Sequence, residues 1–519
     1  MRSTYLVALA IMAGTVSACS DDSSSGTPPT LEVTLAPSAT SQTAPERDTA
    51  TGFTLSATYT GATSEPVVPD LSYDKALLAL DGAIAQDGKT ITAKFKTLAG
   101  LAAKDYSSTV GLRLCKEAGC TTVYPGSTKS FTYSLSVALN DWTTLQRNAA
   151  HDGYVHATFD PATFTKAWEW APAGSSRFTE IAARKGSIFV TRTGGNNSFQ
   201  PETTIHALDS SNGTERWVFN AGNIYSVSGP ALSGDYLAIS TMISSSGENQ
   251  IKVLNPDTGQ FRTNLIFGAQ WSRFAQPTPA GNELYIASGY YGNVVYSYDL
   301  SIGGDRWKAN GNRGNTWDGE TPAVDDRYVY YYSGSLDVFD RATGSRVKSI
   351  VDPNWTWNGY SYLGGPMLGS NNHVIAYSGN GMGTYSVSFP LVDYDIAAGA
   401  VRWRSTRSYS ILPAVAAGVV YAASNSQGQL DAISEATGAP QWSWMLPNGE
   451  TFVGNIIVTD TLVFVSTTAK VYAIALDGTH EVKWSAPTPG SLAITPDAKL
   501  IVSPVTIGNG GKLTTYSLR

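Results

Sequence analysis

Cysteine is nearly absent, with Cys19, Cys115 and Cys120 the only three in 519 residues. No CxxC pair occurs, so a redox-active dithiol is not expected. Charge is scarce as well. Charged residues make up 15% of the chain, with 35 Lys and Arg against 42 Asp and Glu. No cluster of basic residues offers the phosphate-binding footprint that a nucleic acid partner requires. The five histidines, His151, His156, His206, His373 and His480, form no HExxH or other ligand pair at helical spacing, and no metal is expected. No GxSxG occurs and the carboxylates are scattered, which leaves no catalytic constellation. Beyond the N-terminus no run approaches 18 consecutive apolar residues, so no later segment spans a bilayer as a helix.

What is present begins with "MRSTYLVALAIMAGTVSACSDDSSSG". One Arg, an apolar run of about a dozen residues and a string of small residues read as a removable signal segment over 1–18, too short to span as a mature helix. "VSAC" resembles the bacterial lipobox. That resemblance implies that Cys19 is diacylated, becomes the mature N-terminus and anchors the chain in a membrane, with Ser20 favouring the outer membrane. Residues 19–30 are polar and Gly/Pro-bearing, a flexible tether. Cys115 and Cys120 flank a short turn containing Gly119 and read as a disulfide that staples a hairpin.

The composition favours Gly, Thr, Ser, Val, Tyr and Trp, an all-β mixture rich in turns. From residue 31 to 139, runs such as "FTLSATYT", "ITAKFKTL" and "SFTYSLSVAL" alternate apolar and polar residues as half-buried strands do. About seven such strands predict an Ig-like β-sandwich.

From residue 140 to 519 the pattern becomes a repeat. "HALDSSNGTERW" from His206 returns as "IKVLNPDTGQFRTNL", "VYSYDLSIGGDRW", "LDVFDRATGSRV", "LVDYDIAAGAVRW", "LDAISEATGAPQW" and "VYAIALDGTHEVKW". The turn glycines are read as Gly213, Gly259, Gly304, Gly344, Gly399, Gly438 and Gly478, spaced 39 to 55 residues apart, the period of a four-stranded propeller blade. Seven complete units leave two fragments: an isolated fourth strand "FTKAWEWAP" near Trp168 and Trp170, and three strands at the C-terminus. Joined, they make an eighth blade, so the chain predicts an eight-bladed β-propeller closed by pairing of its N- and C-terminal strands.

Within the repeat, Asp209, Asp299, Asp340 and Asp395 open the turn by accepting backbone amides two or three residues on, and the glycine takes the left-handed conformation that follows. Trp217, Trp307, Trp403, Trp442 and Trp484 supply a large ring that bridges to the neighbouring blade. Two units lack the Trp, with Phe261 and Val347 nearby. In the third strand Ile205 and Ala207 are interior positions and the residues between them face the other way. His151, Asp152 and His156, in "NAAHDGYVH", read as a loop wrapping the propeller rim.

These repeats resemble those of the quinoprotein-type eight-bladed propellers. Enzymes of that group hold a quinone over calcium with a Glu, Asn and Asp set, often with two adjacent cysteines; this propeller contains no cysteine and no CxxCH haem site. The expectation is therefore a non-enzyme without a cofactor. Anchor, blade number and repeat together resemble the propeller lipoprotein of the outer-membrane β-barrel assembly machinery. That resemblance implies a scaffold in the bacterial envelope that binds protein partners through propeller loops. The competing reading is a glycan or surface-ligand binder. It rests on "VDPNWTWNGYSYLGGP", where Trp355, Trp357, Tyr360 and Tyr362 lie among Asn and Gly, and on the adjacent stretch from Ser378, in the unit with the longest spacing.

Overall fold

The computed structural model describes residues 29–36, 39–47, 51–172, 176–194, 201–224, 226–242, 249–268, 276–288, 294–312, 321–355, 364–378, 388–504 and 511–519. They are all-β, with helix confined to short 3-10 turns such as Pro161–Thr163. No helix among them is long and apolar enough to cross a membrane. Cys19, Trp357, Tyr360 and Tyr362 lie outside the described residues.

The chain divides into two compact units. In the first, one sheet is ordered Glu32–Ala36, Gly52–Thr60, Thr90–Thr97, Leu78–Leu80; a second, most of whose residues belong to this unit, is ordered Ala39–Pro45, Lys129–Ala138, Asp105–Cys115, Val68–Ser72. Val33, Ala57 and Ile91 of the one share a core with Leu112 and Leu114 of the other. Thr90–Thr97 alternates buried and open positions along its length, because only one face of each sheet is covered. Cys115 and Cys120 are joined by a disulfide around a turn in which Gly119 has φ +94° and Cys120 φ +54°.

The second unit comprises Thr43–Thr49, Ala99–Tyr106 and Leu135–Arg519. Its described residues form eight sheets. Sheets 1 to 7 occupy 176–223, 226–267, 278–310, 323–351, 367–409, 414–445 and 452–486, with successive strands paired in order, except that Ser226–Val227 and Ala231–Ser233 of the second both pair with Tyr236–Met242 and that Tyr154–Val155 adds a fifth, parallel strand to the seventh. Sheet 8 takes Ser491–Ile494, Lys499–Ser503 and Leu513–Ser517 from the C-terminus and Thr165–Trp170 as its fourth strand. First strands touch from sheet 1 through sheet 4 and from sheet 5 through sheet 8, and Ser491–Ile494 of sheet 8 returns to Ser176–Arg184 of sheet 1. Sheets 4 and 5 share a core through Tyr332 and Tyr394. The arrangement is a β-propeller. In the closing pair Thr165 stands opposite Ser517 and Trp170 opposite Leu513.

Each sheet is covered on both faces by its neighbours, and this changes one expectation from the sequence. Residues 203–208 of the strand Glu202–Asp209 are all buried, so the residues between Ile205 and Ala207 are as interior as those two. His206, among them, bonds Glu215 at 2.6 Å and Thr204 at 2.8 Å, which satisfies a polar ring away from water.

The repeat residues build both the turn and the joint between sheets. The Gly213 N–H donates to the Asp209 carbonyl at 2.8 Å, while the Asp209 carboxylate accepts the Ser211 N–H at 2.8 Å; Asp340 holds Thr343 in the same way. Trp168, Trp217, Trp307 and Trp403 lie against Gly213, Gly259, Gly344 and Gly438 of the following sheet. Their Nε1 atoms donate to the carbonyls of Ser210, Pro256, Arg341 and Glu435 at 2.7–3.0 Å. Trp442 stacks on His480 at 4.1 Å and Trp484 meets Tyr516 edge-on at 5.0 Å.

Two sequence assignments need correction. The turn glycine of the third unit is Gly303, with φ +66°; Gly304 already belongs to the returning strand. The places of the two missing tryptophans are taken by Thr263 and Lys348, opposite Val253 and Val338. Phe261 and Val347 are instead 48% and 51% exposed, because a bulge in each hairpin shifts the register. Lys348 does what the indole does elsewhere, donating from Nζ to the carbonyls of Ile396 and Ala397.

Candidate functional site

The axis of a propeller is where first strands converge, and here the entry segment, Trp142 to Gly153, runs against those strands. Trp142 exchanges backbone hydrogen bonds with Ala183 of sheet 1 at 2.8 and 2.7 Å. The Thr143 carbonyl accepts Leu232 of sheet 2 at 2.8 Å, and Thr144 Oγ1 donates to the Pro277 carbonyl at the start of sheet 3 at 2.7 Å. The carbonyls of Ala149, Ala150, Asp152 and Gly153 accept Val324, Leu368, Val415 and Val458, in sheets 4, 5, 6 and 7, at 2.7–3.0 Å. The segment thus winds around the axis and satisfies the inner edge of one sheet after another. The expected loop around the rim is in fact the hub.

Side chains complete the hub. Gln146 donates from Nε2 to the carbonyls of Pro413 and Ile456 and accepts from Asn455 Nδ2 at 2.7 Å. Asn455 continues to sheet 8 by accepting the Leu492 N–H at 2.7 Å. His151, 1% exposed, stands with Nδ1 3.0 Å from the Pro366 carbonyl and Nε2 3.0 Å from Thr278 Oγ1. The carbonyl fixes the proton on Nδ1, and burial pushes the ring's pKa down to about 4. Gln146, Arg147 and His151 have φ of +49°, +83° and +56°. A left-handed conformation costs about 1–2 kcal/mol per non-glycine residue, which these hydrogen bonds offset.

Arg147 is buried with Glu46, both within this unit, at 2% and 1% exposure, and the two form an ion pair. The Glu46 carboxylate also accepts the N–H groups of Asn140 at 2.9 Å and His156 at 2.8 Å. A buried pair persists only when its remaining lone pairs are filled in this way. His156 and Tyr154 converge on Asp460 Oδ1 at 2.7 and 2.5 Å.

Beside the hub, cavities of about 20 and 10 Å³ remain, room for about one water each. Among the described residues no three His, Cys, Asp or Glu side chains are grouped to hold a metal ion.

The aromatic loop is described only at its base. Trp355 packs against the shared core of sheets 4 and 5, its ring over Gly334, so the one described member of the candidate set is a packing residue. Its neighbour Asp352, 2% exposed, accepts Ser378 Oγ at 2.6 Å, Tyr332 Oη at 3.2 Å and Arg404 Nη1 at 3.4 Å. The two stretches read as candidate binding loops therefore begin from one hydrogen-bonded base, a rigid support of the sort a binding loop needs. The hub, Asp352 and Glu46 all escaped sequence reasoning. The polar, non-periodic stretch around His151 was the available signal for the hub.

No curated protein matches the sequence. In structure the chain is similar to BamB from Moraxella catarrhalis, with TM-score 0.48 and 19% identity over 68% of this chain and 98% of that one. It is also similar to a quinohemoprotein alcohol dehydrogenase from Pseudomonas putida HK5, with TM-score 0.50 and 13% identity over 73% of this chain and 80% of that one. At that identity the likeness is one of fold. The family model described as outer membrane protein assembly factor BamB matches residues 152–350 and 389–519, well over half of the chain, and the chain belongs to that family.

Proposed function

We propose that this protein is a lipid-anchored scaffold of the bacterial outer membrane, with an Ig-like sandwich followed by an eight-bladed propeller that binds envelope proteins through its loops. It carries out no chemistry of its own. The observation that carries this reading is the hub. A chain segment bonded to seven of the eight sheets in turn ties the blades together into a support for loops that bind partners. The family's description, outer membrane protein assembly, supports envelope proteins as the partners, with subunits of the barrel-assembly machinery as the specific expectation. The packing of Trp355 in the propeller core takes one ring away from the glycan reading.

In-cell crosslinking with identification of the attached proteins tests the proposal. The native protein should yield barrel-assembly subunits, and Cys19→Ala should yield far less of them. Their absence from both overturns the partner assignment. A bound chromophore or dye reduction after incubation with quinone and calcium would overturn the non-enzymatic reading.

A further inference from the structure

A groove of about 420 Å³ opens beside sheet 7. It exists because the entry chain parts from the sheet: the Asp460 N–H still donates to the Ala157 carbonyl at 3.0 Å, after which residues 158–161 diverge toward the 3-10 turn Pro161–Thr163. Phe159 lines one wall and Leu462, Ala475 and Leu476 the other, an apolar floor in the volume range of specific binding sites.

The rim is predominantly acidic. Asp160, Asp460 and Asp477 line it, and each is held by a local donor: Ala162 N–H on Asp160 at 3.0 Å, Tyr154 Oη on Asp460, and Thr479 N–H on Asp477 at 3.0 Å. The one cation in the lining, Lys483, is engaged by Glu481 at 2.8 Å and Asp477 at 3.9 Å. Fixed carboxylates around a low-dielectric floor focus a negative potential. An anionic headgroup or an acidic segment is repelled there, and an apolar side chain flanked by cations is matched on both counts.

We infer that this groove is a docking site for an extended protein segment that inserts an aliphatic or aromatic side chain next to Lys or Arg. The inference rests on the scaffold reading and supplies the chemistry of one partner segment. It is tested on the full-length protein in detergent, with methyl-labelled Leu and Ala, by titration with acetyl-Lys-Leu-Lys-amide and with acetyl-Glu-Leu-Glu-amide. The basic peptide should shift the methyl signals of Leu462, Ala475 and Leu476 and bind at least about fivefold more tightly than the acidic one. Asp160→Asn with Asp477→Asn should bring the two peptides within about twofold while leaving methyl signals elsewhere in place. Equal response to both peptides, or shifts only at other methyls, overturns the inference. The titration needs no cellular partner, so its failure alongside successful crosslinking removes the groove and leaves the scaffold reading standing.

Discussion

A methyl group placed on Gly438 would stand 2.7 Å from Cδ2 of Trp403, on the preceding sheet. That one distance explains why the turn glycine and the indole recur together: the ring of one sheet lies where the next sheet has no side chain, and its Nε1 reaches a carbonyl of the same turn, Glu435, at 2.7 Å.

Gly438→Ala should therefore be costly on two counts. It introduces the overlap and places a side chain at φ +70°, for a combined loss of about 2–4 kcal/mol. Trp403→Ala should lose about 3–5 kcal/mol by opening a cavity. In that cavity the overlap vanishes, so Gly438→Ala made on the Trp403→Ala background should cost only about 1 kcal/mol, the backbone share. Urea unfolding of the four proteins closes the cycle, and strict additivity would show that the two residues do not meet.

Thr263 occupies an indole position with a small side chain, and the following turn leaves Ile302 76% exposed. Thr263→Trp should cover that turn and stabilise the propeller by about 1 kcal/mol. Lys348→Trp should bring no such gain, because Lys348 already satisfies the carbonyls of Ile396 and Ala397. A thermal melt in which both variants behave alike would refute the distinction.

The repeat was legible in the sequence because its chemistry is local. Turn acid, left-handed glycine and ring sit within a dozen residues, and the ring position follows the true turn glycine by four residues from Gly213 through Gly438. Counting four from Gly259 and Gly344 would have found Thr263 and Lys348; the Gly303–Gly304 doublet hid the rule. The hub was not legible. Gln146 bonds Ile456 and His151 approaches Pro366, contacts between distant parts of the chain that leave no periodic trace. Cys115 and Cys120 lay between these extremes, since a pair five residues apart around a glycine has few other partners.

His151 makes stability depend on pH with a definite sign. Its folded pKa of about 4 lies below the unfolded value of about 6.5, so the unfolded chain binds the proton more readily. The stabilisation is fully present above pH 6.5 and is lost as pH falls toward 4, by up to about 3 kcal/mol in total. Urea unfolding between pH 7.5 and 4.5 should show a steeper decline for the native protein than for His151→Gln, which keeps a polar side chain but does not titrate. Equal slopes would place the titration elsewhere.

The ring's closure depends on one strand. Leu513–Ser517 pairs with Lys499–Ser503 on one side and Thr165–Trp170 on the other, so it is the piece through which the two ends of the propeller are joined. Removing Lys512–Arg519 leaves both neighbours with unpaired edges and takes the buried Leu513, Tyr516 and Leu518 out of the core. Each such apolar side chain contributes roughly 1.5–3 kcal/mol. Because every sheet is packed against the next and the hub bonds to seven of them, the loss is not confined to sheet 8, and the whole propeller should melt at a lower temperature in a single transition. A truncated protein that melts at the full-length temperature would mean that the ring is held by its hub and that the terminal strand is dispensable.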